Sequence, residues 1–395
     1  MSEWKKVPIK DVCVGIYDGP HATPPVSETG GIFLGISNIT KDGHFDFSSI
    51  KYIGDDYMPK WTKRVTPQKD DIVFSYEATL NLYAVIPDGF YGCLGRRMAL
   101  IRTNKQLVNH KYLFYYFFSK NWRNLISEKT IVGATVDRIP IATFPDFEIE
   151  LPSLDVQNKI ATILSRYDSL IENYQKQIKL LEESAQRLYK EWFIDLRFPG
   201  HENTKIVDGV PEGWEKKILA EIANVVMGQS PKSEFYNKEN KGLPFHQGVG
   251  SYGVRFVEDN IYCTSVTRVA RPNSILFSVR APVGRLNIAK NKIIIGRGLA
   301  AMTHRNGCQS FLYYMLKERF FKDDIIGNGA IFASISKDEL LNLDFIIPQD
   351  DLVHRYNEIT QKIDENIKSL DSQIRHLTEA RDRLLPKLMS EEIEV

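Results

Sequence analysis

The sequence predicts an α+β protein built as an internal repeat: two mixed globular blocks, each followed by one long amphipathic helix. Three observations carry this. First, Ile160, Leu164, Tyr167, Ile171, Tyr174, Ile178, Leu181, Ala185, Leu188 and Trp192 recur in steps of four and three, the 3.5-residue period of a coiled-coil seam. Second, Tyr356, Thr360, Ile363, Ile367, Leu370, Ile374, Leu377, Arg381, Leu384 and Leu388 repeat the same steps, each 196 residues after its counterpart. Only Thr360 and Arg381 break the apolar rule. Third, matches continue upstream of both helices, so the repeat includes the globular blocks.

In chain order, Trp4, Ile9 and Val12 answer to Trp214, Leu219 and Ile222 at an offset of 210. The run Ile72-Val73-Phe74-Ser75 answers to Ile275-Leu276-Phe277-Ser278 at 203. Gly133-Ala134, Ile139 and Leu151-Pro152 answer to Gly329-Ala330, Ile335 and Ile347-Pro348 at 196. The first globular block is therefore 14 residues longer than the second, while the helices align without a gap. Short β-type runs sit at 71–76, 274–279 and 292–295, and aromatic-rich helices are predicted at 111–124 and 309–322. Arg197-Phe198-Pro199-Gly200 stops the first long helix, because Pro cannot continue it and Gly supplies the terminal turn. A polar linker over 201–210 leads to Pro211-Glu212-Gly213-Trp214. The expected parts are a domain over 1–151, a helical region over 152–200, a second domain over 201–347 and a second helical region over 348–395. A helix of about 40 residues is on the order of 60 Å long at 1.5 Å per residue. Two such helices with matching seams are expected to bury them together, a ruler of fixed length beside blocks free to diverge.

The 395 residues are 43% hydrophobic and 26% charged, ordinary values for a folded protein and against extensive disorder. No apolar run nears the roughly 18 residues of a membrane span. The first residues lack the apolar core of a signal peptide, and Cys13, Cys93, Cys263 and Cys308 are far apart, so a reduced cytoplasmic location is expected. The net charge is +1, but it is uneven: residues 255–297 hold Arg255, Arg268, Arg271, Arg280, Arg285, Lys290, Lys292 and Arg297 against Glu258 and Asp259. Arginine is the side chain best suited to forked contacts with phosphates and guanine edges.

Catalytic motifs are not found. Gly248-Val249-Gly250-Ser251-Tyr252-Gly253 spells a dinucleotide fingerprint but lacks the strand-to-helix context, and reads as a turn. Glu215-Lys216-Lys217 reads as surface charge, and there is neither a P-loop nor an Asn/Asp-Pro-Pro-Tyr methyltransferase signature. The eight histidines show no metal-ligand spacing, with His354 and His376 on the solvent side of the second helix. No catalytic residue, metal or cofactor is assigned. The polar constellations sit in loops: Asp18-Gly19-Pro20-His21, Gly228-Gln229-Ser230-Pro231, Phe245-His246-Gln247-Gly248, and 278–285. Such loops present Gln, His, Ser and Arg to base edges and phosphates. The candidate DNA contacts are His21, Lys63, Arg64, Ser75, Tyr76, Arg96 and Arg97 in the first domain, and His246, Gln247, Arg280, Arg285 and Arg297 in the second, with Lys232, Arg255, Arg268 and Arg271 in reserve. Arg96 and Arg297 share a Gly-Arg context.

At these residues the chain resembles the specificity (S) subunit of type I restriction-modification systems. Leu151-Pro152-Ser153-Leu154-Asp155-Val156-Gln157-Asn158-Lys159-Ile160 is similar to the opening of that family's helical regions, with Ser153 in place of the usual second proline. Residues 184–202 resemble the close of its central region. Gly228-Gln229-Ser230-Pro231, Leu243-Pro244-Phe245-His246-Gln247-Gly248-Val249 and Ser278-Val279-Arg280-Ala281-Pro282-Val283-Gly284 resemble one type of target recognition domain, and Asp18-Gly19-Pro20-His21 with Thr23-Pro24 another. The second helical opening, Ile347-Pro348-Gln349-Asp350-Asp351-Leu352, departs from the pattern.

The resemblance implies two target recognition domains, each reading half of a split double-stranded DNA site, and two helices packed antiparallel that set the gap. It also implies docking of two adenine-specific methyltransferase (M) subunits and, through them, ATP-dependent motor-nuclease (R) subunits. The S subunit itself has no active site in that family. Helical surfaces meant for M subunits would leave the isolated chain poorly soluble. A modification-only assembly is the nearest alternative; a stand-alone DNA enzyme and a coiled-coil interaction protein without a DNA role are the more distant ones.

Overall fold

A computed structural model describes residues 4–133, 135–320 and 334–395. The expected counterparts Ala134, Gly329 and Ala330, and the end of the helix predicted over 309–322, lie outside the described residues. The chain forms two compact units, Met1–Asn173 with Gln373–Val395, and Tyr174–Ser372. Each unit therefore holds one globular domain with a segment of both long helices.

In the first unit the main sheet is antiparallel, with Cys13–Asp18, Met98–Thr103, Ile72–Ser75 and Tyr83–Val85 as neighbours in that order. A second sheet places Gly31–Leu34 between Tyr52–Ile53 and Gly92–Leu94, running parallel to the latter. The strands Ile72–Ser75 and Gly92–Leu94 are buried on both faces, which is why they read as continuous apolar runs without alternation. Lys5–Pro8 pairs with Glu148–Leu151 and closes the domain where the first long helix, Leu154–Tyr189, begins.

The second unit repeats this plan. Ala223–Met227, Leu299–His304, Ile275–Ser278 and Leu286–Ile288 form the main sheet. Leu243–His246 runs parallel to Ile293–Ile295 in the second sheet. Glu215–Ile218 pairs with Asp344–Ile347 before the second long helix, Asp350–Leu388. The 203-residue offset holds down to single hydrogen bonds. Leu82 N–H donates to Ser75 Oγ at 3.3 Å, and Arg285 N–H donates to Ser278 Oγ at 2.8 Å. Asp70 and Asn273, like Asn81 and Gly284, are matched positions with positive φ.

One predicted helix is two. The segment expected over 111–124 is His110–Tyr116 followed by Lys120–Lys129. Ser119 interrupts it, because its hydroxyl accepts the Trp122 N–H and caps a new helix. The first long helix ends in a π-turn, Lys190–Ile194, ahead of Leu196 and Gly200 in left-handed conformations.

In the first unit Ile160, Ala161 and Leu164 pack with Leu388 and Met389 into the core of the domain, while Asp168 meets Arg381 further along. Residue numbers rise on one helix as they fall on the other, so these segments are antiparallel. Each buried Leu or Ile side chain contributes about 1.5–3 kcal/mol. In the second unit Tyr356 donates its hydroxyl to Ala185 O at 2.9 Å and stacks edge-on with Tyr189 and Trp192.

The two breaks in the apolar seam have local reasons. Thr360 is buried and returns its hydroxyl to Tyr356 O at 2.9 Å. Arg381 Nη1 donates to Asp168 Oδ1 at 2.7 Å, and Tyr115 donates its hydroxyl to the same carboxylate. The counterpart carboxylate, Asp364, accepts from Tyr314 Oη at 2.9 Å and from Arg255 Nη2 at 2.6 Å. Both units thus set a half-buried aspartate on a long helix against a tyrosine of the domain. The neutralising arginine comes from the other long helix in the first unit and from the globular domain in the second.

Candidate nucleic-acid interface

In the first domain the candidates gather where the strand Cys13–Asp18 ends. Gly19 lies so close to the backbone of Gly95 that a Cβ would stand 2.3 Å from its carbonyl oxygen. This approach sets Asp18 beside the Gly95-Arg96 turn. Asp18 Oδ2 is 2.9 Å from His21 Nε2, and its other oxygen pairs with Arg64. His21 stands edge-on to Tyr76 at 6.5 Å between ring centroids, and Tyr76 donates its hydroxyl to Arg96 O at 2.8 Å. Arg97 Nε is 3.4 Å from Glu77. His21, Lys63, Arg64 and Arg96 are exposed and Arg97 is half-buried.

Ser75 and Tyr76 depart from their expected role as DNA contacts. Ser75 is 0% and Tyr76 6% exposed. The Ser75 hydroxyl is used by Leu82 N–H, holding the hairpin turn, and Tyr76 buttresses the Arg96 backbone. Burial, with the Asp18 and Glu77 carboxylates, pushes the Tyr76 phenol up to about 12, so it stays a neutral donor.

In the second domain Gly228 makes the matching approach: a Cβ there would stand 2.1 Å from Gly296 O. Around it, Gln229 N–H donates to Ile295 O and Arg297 N–H to Ser230 Oγ. Gly298 N–H donates to Gln247 O, Ile295 N–H to Arg268 O, and Val279 N–H to Gly298 O. These bonds draw the exposed residues Gln247, Arg268, Arg280 and Arg297 to one place. Lys232 is exposed and 3.8 Å from Glu234. Arg285 is half-buried at the base of the hairpin. Arg271 is exposed and follows the strand Val269–Ala270, which Arg268 precedes. Gly228→Ala is expected to force the two backbones apart at a cost of roughly 1–3 kcal/mol. Amide exchange at Gln229 and Arg297 should then quicken about tenfold or more; unchanged exchange would contradict the tight approach.

Two further candidates are corrected. His246 is 0% exposed, with Nδ1 2.8 Å from Ser251 Oγ and Nε2 3.0 Å from Asp259 Oδ1. Both ring nitrogens are spent inside the domain, and the 248–253 glycine-rich segment is the turn that delivers Ser251 to them. Arg255 is 2% exposed, and both of its terminal nitrogens are engaged inside the unit. Besides Asp364 it pairs with Glu182 at 3.2 Å, and its guanidinium lies 3.5 Å over the Tyr313 ring. Burial opposes its charge, but Tyr313, Asp364, Tyr314 and Glu182 outweigh that and hold it protonated. It locks the domain to both helix segments of its unit. Sequence reading missed Asp18 and Arg381 as anchors. The recurrence of Asp168 as Asp364 was the available signal, since a carboxylate repeated beside a coiled-coil seam demands a partner.

Among the described residues no group of three or more His, Cys, Asp or Glu side chains is arranged to hold a metal ion. Among those residues no helix is long and apolar enough to cross a membrane. Each domain carries exposed arginines on glycine-tight loops, beside His21 in the first domain and Gln247 in the second.

Comparison with known proteins gives a consistent result. The model of the type I restriction modification DNA specificity domain matches twice, over residues 1–183 and 211–381. A putative type I restriction enzyme MjaX specificity subunit of Methanocaldococcus jannaschii is 28% identical over 408 residues, covering 100% of this chain and 94% of the relative. The MjaIX specificity subunit of the same organism is 31% identical over 309 residues, covering 74% and 71%. The crystal structure of the type I restriction-modification S subunit from M. genitalium has the same fold, with a TM-score of 0.57 at 19% identity over 98% of this chain and 96% of that one. Two copies of the domain model in one chain, each laid on one of the two repeated domains and running into the helix that follows it, establish that the protein belongs to the type I restriction-modification DNA specificity family.

Proposed function

We propose that the chain is the sequence-reading subunit of a cytoplasmic type I restriction-modification complex. Each globular domain reads one half of a bipartite site in double-stranded DNA. The long helices set the number of unread base pairs between the halves and dock two M subunits, which bind S-adenosylmethionine and methylate adenine. R subunits join through the M subunits and supply ATP-driven translocation and cleavage. This chain contributes recognition and no chemistry.

The observation that carries this reading is the repeat of the Gly-Arg ledge. Gly19 against Gly95-Arg96 and Gly228 against Gly296-Arg297 are the same backbone contact in two domains of otherwise different loops. A scaffold held constant under loops that differ is the pattern expected of two readers with different target sequences. The contacts proposed are His21, Lys63, Arg64, Arg96 and Arg97 in the first domain. In the second they are Gln247, Arg268, Arg280 and Arg297, with Lys232 and Arg285 at the margin.

Arg280→Ala, in a complex with M subunits, is expected to lower methylation of the true site at limiting enzyme. A base-reading arginine is worth about 1–3 kcal/mol of discrimination, roughly 5- to 150-fold. Unchanged methylation would remove Arg280 from the reading surface. The affinity of the complex for DNA should also fall steeply with added salt, as counterions released from phosphates require. An affinity indifferent to salt would contradict the reading as a whole.

A further inference from the structure

Both domains tie the strand that ends in the buried serine to the segment returning toward the long helix, and they do it with the same bond. Ile139 N–H donates to Tyr76 O at 2.8 Å, and Ile335 N–H donates to Val279 O at 2.9 Å. One residue further on, each domain has an isolated antiparallel bridge: Glu77 with Arg138 in the first, Arg280 with Ser334 in the second. Glu77 and Arg280 are counterparts at the 203-residue offset, and Arg138 and Ser334 are counterparts at 196. Each bridge therefore carries one arginine, from opposite strands. Where the second domain has Arg280, the first has a glutamate, and that glutamate already faces Arg97.

Arg138 is exposed. Its backbone is fixed by reciprocal hydrogen bonds with Ile131, at 2.9 and 3.1 Å, so it does not sit on a loose tip. Among the described residues its guanidinium has no ion pair or hydrogen bond. It is a cation with a defined backbone position, unpaired among the described residues, one bridge away from Tyr76, Glu77 and the Arg96-Arg97 ledge.

Building on the function proposed above, we infer that Arg138 is a DNA-contacting residue of the first domain and takes there the part that Arg280 takes in the second. Its guanidinium engages acceptor oxygen or nitrogen atoms of the duplex, on a guanine edge or a phosphate, within the half-site that the first domain reads.

The test uses the complex of the full chain with its M subunits, as wild type, Arg138→Ala and Arg138→Lys. Methylation at limiting enzyme is measured on the cognate duplex and on duplexes altered at each base pair of either half-site, with binding followed across a salt series. Arg138→Ala is expected to lower cognate methylation about fivefold or more. With a base-edge contact, discrimination is lost at a base pair of the first half-site and lysine does not restore it. With a phosphate contact, the loss is uniform across sequences, the salt slope falls by about one, and lysine restores most of the activity. Arg138→Ala indistinguishable from wild type, or altered discrimination confined to the second half-site, overturns the assignment. The wild-type complex separates the two possible failures. If it methylates no split site, the functional reading falls and takes the assignment with it. If it does and the variant matches it, Arg138 alone is wrong.

Discussion

Replacing Arg255 with methionine is expected to destabilise the second unit by about 3–5 kcal/mol, because it strands Glu182 and Asp364 in a largely buried site without their counter-charge. Arg255 is 2% exposed, it bridges carboxylates on both long helices, and its guanidinium stacks on Tyr313. Lys317 reaches Glu182 at 3.3 Å and so offsets part of the loss. Arg255→Lys keeps the charge but not the fork, and should fall between the two. Chemical denaturation followed by hydrogen exchange would check this. The expected result is early exchange in residues 174–372 with Met1–Asn173 little affected. A methionine variant as stable as wild type would show that the cluster is not a lock.

The second large effect concerns the helices. Insertion of one heptad into each, between Asn173 and Tyr174 and between Ser372 and Gln373, falls where the two compact units divide. Seven residues preserve the seam and add roughly 10 Å of helix at 1.5 Å per residue. At about 3.4 Å per base pair, the gap in the methylated site should lengthen by about three base pairs, with both half-site sequences unchanged. A four-residue insertion breaks the heptad register and should cost stability instead. Heptad variants that keep the original gap would rule out the ruler.

Much of the architecture was legible because it is written in periodicities. The 3.5-residue seam and the gap-free 196-residue offset located both long helices, and the 203-residue match between Ile72-Val73-Phe74-Ser75 and Ile275-Leu276-Phe277-Ser278 marked the same strand in each sheet. The site was less legible, for a physical reason. Charge along a sequence does not reveal whether a side chain meets water or a counter-charge brought in by the fold. Arg255 belongs to the densest basic stretch, yet its partners lie 73 and 109 residues away. His246 looked like a loop reader, but Asp259 and Ser251 fold back onto it. Ser75 lies at a strand end, where its hydroxyl closes the hairpin rather than facing outward. Conversely, Arg138 escaped notice because it stands alone in sequence, and only the matched bridge in the other domain gives it a place.

The most direct measurement is co-expression of the chain with a partner M subunit, followed by single-molecule sequencing of host DNA for modified adenine. Two domains that read independently, with helices that fix their separation, predict one new motif of two specified halves around a gap of constant length. A methylated motif that is continuous, or a split one whose gap varies freely from site to site, would contradict it.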